Sequence, residues 1–211
     1  MALAMLLIMA AVLQGDERGK GVSPPNEAKI PDSPAEPVKV VAALLNGIEF
    51  KEQRQTLIKM GERAFPAFEA ILADPESDPG HVARIFVVLM AVDADRRRFL
   101  DPTVMRLADP NDDVRSRAVR LLALIGSEKE APSVVALLSD KEWTNAIAAA
   151  KTLAAIGDRR AVAAMDVWLK ASGRQADRTE DADAELREYV AKYRDELKQR
   201  LDRAEKEKPG K

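Results

Sequence analysis

In each of four successive pairs of helical patterns, the turn between the first pattern and the second carries an acidic residue followed at once by a basic one: Glu62-Arg63, Asp95-Arg96-Arg97-Arg98, Glu128-Lys129 and Asp158-Arg159-Arg160. The acid suits the start of a helix, where a side-chain oxygen accepts from backbone N–H groups that have no partner inside the helix. The base does not, because a cation at a helix N-terminus works against the macrodipole. If the four turns are in register, Arg63, Arg97, Lys129 and Arg160 stack into a stripe of positive charge along one rim. Such a stripe has the chemistry of a binding site for an acidic peptide or another anionic polymer. The competing reading is solvated surface with local acid–base pairs, each contributing little.

Other residues with chemical potential fall short of a site. Asp109, Asn111, Asp112 and Asp113 offer oxygen ligands, but they lack the glycine and distal glutamate of a calcium loop, and helix capping explains them. His81, just after Pro79-Gly80, is the one histidine, so a multi-histidine metal site is excluded. The chain has no cysteine, which excludes disulfides, thiolate catalysis, pigment attachment to its own thiol and cysteine-based zinc sites. No Ser/His/Asp set, phosphate-cradling glycine loop or pair of catalytic carboxylates can be assembled with specificity. The expectation is therefore a protein with no catalytic, cofactor-binding or metal residues.

The elements that must carry these residues are helices. Apolar residues make up 46% and charged residues 32%, which fits a globular helical chain rather than a disordered one. A net charge of −2 supplies no global field for nucleic acid, and 4% aromatic content is poor in stacking surface.

The organising signal is a fixed offset. Asp109 and Asp140 lie 31 residues apart, and the same offset relates Gly126 to Gly157, Ile125 to Ile156, Leu122 to Leu153 and Leu138 to Leu169. Two helical patterns per period of this length are the signature of a helical solenoid. In the clearest copy Asn111 is an N-cap, Val114, Ala118, Leu121, Leu122 and Ile125 follow helical spacing, and Gly126 is expected to stop the helix in the left-handed conformation. Val134, Val135, Leu137 and Leu138 form the return helix. The next copy is rich in alanine (Ala146, Ala148, Ala149, Ala150), with Trp143 and Trp168 expected to supply bulk. Two looser copies precede these, one on Val38–Leu72 and one on His81–Leu107, where Pro102 is expected at the first helical position or at a kink.

The ends differ in character. Residues 1–15 are almost purely apolar and too short to span a bilayer, so they read as a signal peptide or an apolar N-terminal helix, with export as the expectation and cytoplasmic residence as the alternative. Residues 16–37 carry five prolines and read as a linker. Residues 38–172 hold the repeats, and 177–207 a charged helix that starts with Asp177 and Glu180 at capping-box spacing. Its apolar stripe is narrow, and Glu188–Lys192, Glu196–Arg200 and Asp202–Lys206 are placed for i,i+4 pairs. It either covers the last repeat's open edge or protrudes toward a partner.

Asp112-Asp113-Val114-Arg115, Ala118–Gly126 and Ala131–Leu138, with Ala149–Ala161 and Val167–Leu169 in the next copy, resemble HEAT repeats, in particular the short bacterial kind related to those of phycobilisome lyases. The resemblance implies an all-α fold, a right-handed α-α superhelix like that of armadillo proteins, here of about four helical hairpins plus the long C-terminal helix. It implies that Arg115 pairs with a neighbouring repeat's aspartate, with Arg84 as its counterpart one copy earlier. Thr144-Asn145-Ala146 stands where Asp-Val-Arg stood, so that ladder is missing from the fourth copy. It also implies a non-catalytic scaffold that binds a partner protein on its concave face. A bilin-lyase-like accessory role is the rival, and a nucleic-acid-binding solenoid a weaker one. No nucleic acid is expected as a partner, and no membrane span unless the N-terminal apolar segment is retained.

Overall fold

Helices account for nearly all the backbone of the computed structural model, which describes residues 35–46, 50–171 and 179–207. The signal-peptide and linker expectations up to residue 34 and the Asp177 cap lie outside the described residues. The chain divides at Ile30, and every described residue belongs to the unit Pro31–Lys211. No helix among the described residues is long and apolar enough to cross a membrane.

Ten α-helices follow one another among the described residues: α1 Ala35–Leu45, α2 Phe50–Met60, α3 Phe65–Ala73, α4 Pro79–Ala91, α5 Leu100–Met105, α6 Asp112–Ile125, α7 Ala131–Val135, α8 Trp143–Ile156, α9 Arg159–Lys170 and α10 Glu180–Lys206. Short 3₁₀ turns lengthen α5 at both ends and α7 at its C-terminal end. Arg97–Phe99 supplies a turn before α5, so Pro102 sits at the third helical position, neither at the first nor at a kink. A first-turn N–H has no partner inside the helix in any case, so proline loses nothing there.

The first helices of the copies, α4, α6 and α8, pack side by side, and α10 continues the row against α8. The architecture is an α solenoid. Each return helix lies closer to the first helix that comes after it than to the one before it, most clearly in α5–α6, α7–α8 and α9–α10, while α1 packs on both α2 and α3. The close pairing is thus half a repeat out of step with the hairpins expected from the glycine turns. It also gives places to α1, as the return helix of an opening pair, and to α10. A continuous core runs from Val41 to Leu197, with Phe65, Phe68, Phe86 and Phe99 filling the early pairs. In α8, Ala146, Ala148, Ala149 and Ala150 are buried, and Trp143 and Trp168 pack half-buried against the core.

Arginines close the helix ends. The last carbonyls of a helix lack internal partners, and here guanidinium groups take them. Arg106 donates to Ile71, Leu72 and Asp74, Arg115 to Asp109 and Pro110, Arg187 to Leu169 and Ala171, and Arg84 to Leu45. Arg115 also forms the expected ion pair, reaching Asp140 of the next repeat through two hydrogen bonds of 2.7 and 2.8 Å. Burial alone would raise the Asp140 carboxyl. Hydrogen bonds from Arg115 and the Glu142 N–H, with the arginine's charge, outweigh that and hold it below the ordinary carboxylate range.

Where the fourth copy lacks the Asp-Val-Arg signature, polar side chains of α8 take over the register. Asn145 donates to the Asp112 carbonyl at 3.1 Å, and Thr152 Oγ1 to the Val119 carbonyl at 2.9 Å. Both residues are 1% exposed. Thr152→Val keeps the shape and removes that second bond. The expected loss is about 1 kcal/mol, read as a lower urea midpoint with an unchanged slope. An unchanged midpoint would show that the hydroxyl contributes nothing to register.

Gly126 and Gly157 stop their helices without the left-handed conformation. Their φ angles are −79° and −69°, and among the described residues only Gly61 is positive, at 54°. Space requires the glycine instead. A Cβ on Gly157 would lie 2.5 Å from the Leu153 carbonyl oxygen, 2.8 Å from Ala161 Cβ and 3.1 Å from Leu197 Cδ2. On Gly126 it would meet the Leu122 carbonyl oxygen at 2.7 Å and Ile156 Cδ1 at 3.2 Å.

α10 covers the last repeat. Leu186, Val190 and Leu197 are buried against α8 and α9. Its N-cap is Thr179, whose hydroxyl accepts from the Ala182 N–H at 3.3 Å. Among the described residues none of the three expected i,i+4 pairs forms, and in two of them one member, Arg200 or Asp202, is taken across the interface. Arg200 donates to the Ala154 and Gly157 carbonyls at the end of α8, and Asp202 accepts from Arg159 at 2.5 Å. Arg194 joins Asp166 of α9, and that ion pair lowers the Asp166 carboxyl and raises the guanidinium.

Candidate functional site

Helix periodicity decides which side chains of the first-helix row remain outside. On α6, Val114, Ala118, Leu121 and Leu122 face the core, which leaves Arg117, Arg120 and Leu124 on the other side at steps of three and four residues. On α8 the buried set includes Ala146, Ala149, Ala150 and Leu153, and Thr144, Ile147 and Lys151 are left over. These outward faces line a groove of about 610 Å³. Its floor is apolar, formed by Ala123 and Leu124 of α6 and Ile147 and Ala148 of α8. Met90 of α4 and Tyr193 of α10 line it from the helices on either side. Leu124 is 56% exposed, one of only a few large apolar side chains so open to solvent among the described residues.

The groove's charge is one-sided. Arg120 and Lys151 line it and no carboxylate does. Neither cation has an ion-pair partner among the described residues. Arg117, one turn before Arg120, is by contrast bound to Asp113 at 2.9 Å. Arg115, which shares the helix with these two, belongs to the core, as its sequence context implied.

The four cations Arg63, Arg97, Lys129 and Arg160 are all exposed, each at a turn that leads into a return helix. None lines the large groove. Arg160 borders a smaller one of about 240 Å³ between α7 and α9, with Pro132, Val135 and Ala164. Lys129 borders a shallow depression with Ser127, Glu128 and Arg200. Arg160 is also engaged locally, donating to Asp158 at 2.7 Å. Asp158 accepts the Arg160 and Ala161 N–H groups as a helix cap, and these bonds with the Arg160 charge outweigh burial and lower its carboxyl. The acid of this turn motif is thus a cap, as its position implied. Arg98, next to Arg97, is held by Glu69 across to α3.

The remaining candidates are accounted for by backbone geometry. Asp109 pairs with Arg106 at 2.8 Å and accepts the Asn111 N–H, and Asn111 caps α6 through the Asp113 and Val114 N–H groups. His81 lies in the first turn of α4 with its ring within 2.8 Å of the Asn46 side chain. Among the described residues no three His, Asp or Glu side chains come together as metal ligands would.

The amino-acid pattern by itself did not single out Arg120, Lys151, Leu124, Ile147, Met90 or Tyr193 as a surface. A signal was present. Arg120 and Lys151 are themselves 31 residues apart and occupy the unburied side of both helices.

A row of paired helices with glycine stops, arginine-closed ends and an aspartate–arginine link between repeats defines an α-solenoid repeat protein. Residues 100–184 match the family model described as HEAT repeats, from the first residue of α5 into the first turns of α10. This part of the chain carries HEAT repeats. No curated protein matches it. HEAT repeats generally build non-catalytic scaffolds, often for protein interaction.

Proposed function

We propose that this protein is a non-catalytic scaffold that binds a partner protein in the groove across α4, α6, α8 and α10. The observation that carries the reading is the groove itself: an apolar floor with a largely exposed Leu124, bordered by two cations that no described side chain neutralises. A surface of this kind is unfavourable toward water alone and gains when apolar area is covered and charge is met. The row of first helices is rigid because buried side-chain bonds lock α6 to α8, so the surface is preformed and little ordering opposes binding.

The test is affinity capture from the native extract with the full-length protein and two variants, Leu124→Asp and Ile147→Asp. Leu124 is exposed and Ile147 half-buried against the core, so each variant is used only once its far-UV circular dichroism matches the wild type. The partner held by the wild type should be lost by each variant. If the same partner is retained in equal amount by both, the groove is not the binding surface.

A further inference from the structure

The register of α10 identifies a cation ladder that includes Arg120 and Lys151. Arg187 does on α10 what Arg115 does on α6, closing the end of the return helix before it. Aligned on these two arginines, Leu186 falls at the position of Val114, Val190 at that of Ala118 and Leu197 at that of Ile125. α10 is therefore a fifth first helix, displaced by a longer connection and extended beyond the usual stop. Five residues after Arg115 stands Arg120, and five after Arg187 stands Lys192. Lys151 holds the same place on α8, one 31-residue period after Arg120. Three adjacent helices thus present a cation at one equivalent position.

None of the three is buried, and none forms an ion pair among the described residues. Lys192 Nζ lies 5.5 Å from the centre of the Tyr193 ring, which joins it to the groove wall. Arg63, Arg97 and Lys129 also lack a carboxylate partner among the described residues, but none of them lines the groove, and the depression beside Lys129 includes Glu128.

Packed helices lie about 8–10 Å apart axis to axis, so the ladder rises by about that distance per rung. In an α-helix, residues seven apart face the same way and are about 10.5 Å apart, which matches the rung. In an extended segment the nearest match is three residues, about 10 Å, and an odd step turns alternate side chains to opposite faces. One strand therefore cannot place a carboxylate on every rung. Nucleic acid matches the charge but has no use for an apolar floor of Leu124 and Ile147, and the groove offers it a single aromatic platform, Tyr193.

Resting on the groove reading, we propose that its occupant is an acidic amphipathic helix of the partner protein. Acidic residues at every seventh position meet Arg120, Lys151 and Lys192, and apolar residues three and four positions on cover Leu124, Ile147 and Met90.

The probe is a fluorescent synthetic helical peptide of about twenty residues, with Glu at every seventh position and Leu at the third and fourth positions between. A scrambled peptide of equal composition and a single-stranded DNA oligonucleotide are the comparisons. Full-length protein should bind the patterned peptide, more tightly as salt is lowered. Lys151→Glu should weaken binding about tenfold and Arg120→Glu with Lys151→Glu further, whereas Lys129→Glu should leave it unchanged. Equal binding of the scrambled peptide, preference for the oligonucleotide, or indifference to Lys151→Glu would overturn the proposal. The same variants in native-extract capture separate the two readings. A partner lost with Leu124→Asp but kept with Lys151→Glu leaves the groove standing and removes the acidic helix. A partner kept by all of them removes both.

Discussion

Arg115→Ala should unfold at a stability about 3–5 kcal/mol below the wild type, the cost of removing one member of a buried ion pair. Arg115 is 7% exposed and the Asp140 carboxylate is shielded to a similar degree, so neither charge is replaced by water when its partner goes. The same side chain closes the carbonyls of Asp109 and Pro110, which lose their donors in the variant. The deficit should depend on pH with a definite sign. In the wild type the folded Asp140 carboxyl is depressed, so its contribution is present above the unfolded value of about 3.9 and is lost as pH falls through the folded one. In the variant burial acts unopposed by arginine and the carboxyl takes up a proton more readily. The gap between the two proteins is therefore largest at neutral pH and narrows below about pH 4. Urea unfolding at about pH 7 and about pH 3.5 measures both, and a gap that is small at neutral pH, or the same at both, would show that the pair does not hold the repeats together.

Gly157→Val should be the next most damaging change, at about 3 kcal/mol for forcing side-chain atoms into a filled site. The first added carbon would meet the Leu153 carbonyl oxygen at 2.5 Å and Ala161 Cβ at 2.8 Å, neither of which is a flexible chain end. Relief would require α8, α9 and α10 to separate at their meeting point, where Arg200 also closes the Ala154 and Gly157 carbonyls. Gly61→Ala is the useful contrast. Its φ of 54° makes alanine strained, yet nothing lies within 4 Å of the new carbon. Thermal unfolding of the two should show the larger fall for Gly157→Val, and the reverse order would mean that backbone conformation, not space, fixes these turns.

That contrast marks the limit of what the amino-acid order reveals. The 31-residue offset, the Asn111 cap and the Arg115–aspartate link were legible because each rests on residues close in sequence or on a repeated pattern. The reason for Gly157 was not, since it depends on Ala161 and Leu197, brought together only by packing. Two of the three i,i+4 pairs of α10 failed for a related cause. Arg200 and Asp202 have better partners on α8 and α9 than one turn away, and partners from another element cannot be read from helical spacing. The kinship of α10 with the other first helices was hidden by its connection, which displaces Arg187 from the 31-residue register. The rim cations stood out because they sit beside turn residues, whereas Arg120 and Lys151 emerge only when the unburied side of each helix is known.

A solenoid is a polymer of its own repeats, and every polymer needs an end. The α8–α9 face that α10 covers has the shape each repeat offers to its successor. Left bare, it would accept the opening pair of another molecule, and head-to-tail contacts of that kind do not close but grow into filaments. α10 accepts the docking on one side while its other side carries a run of unburied charge that includes Glu185, Glu188, Asp195, Glu196 and Lys198. Among the described residues the row of helices therefore ends on a charged, water-compatible face instead of the apolar one that an uncovered repeat would present.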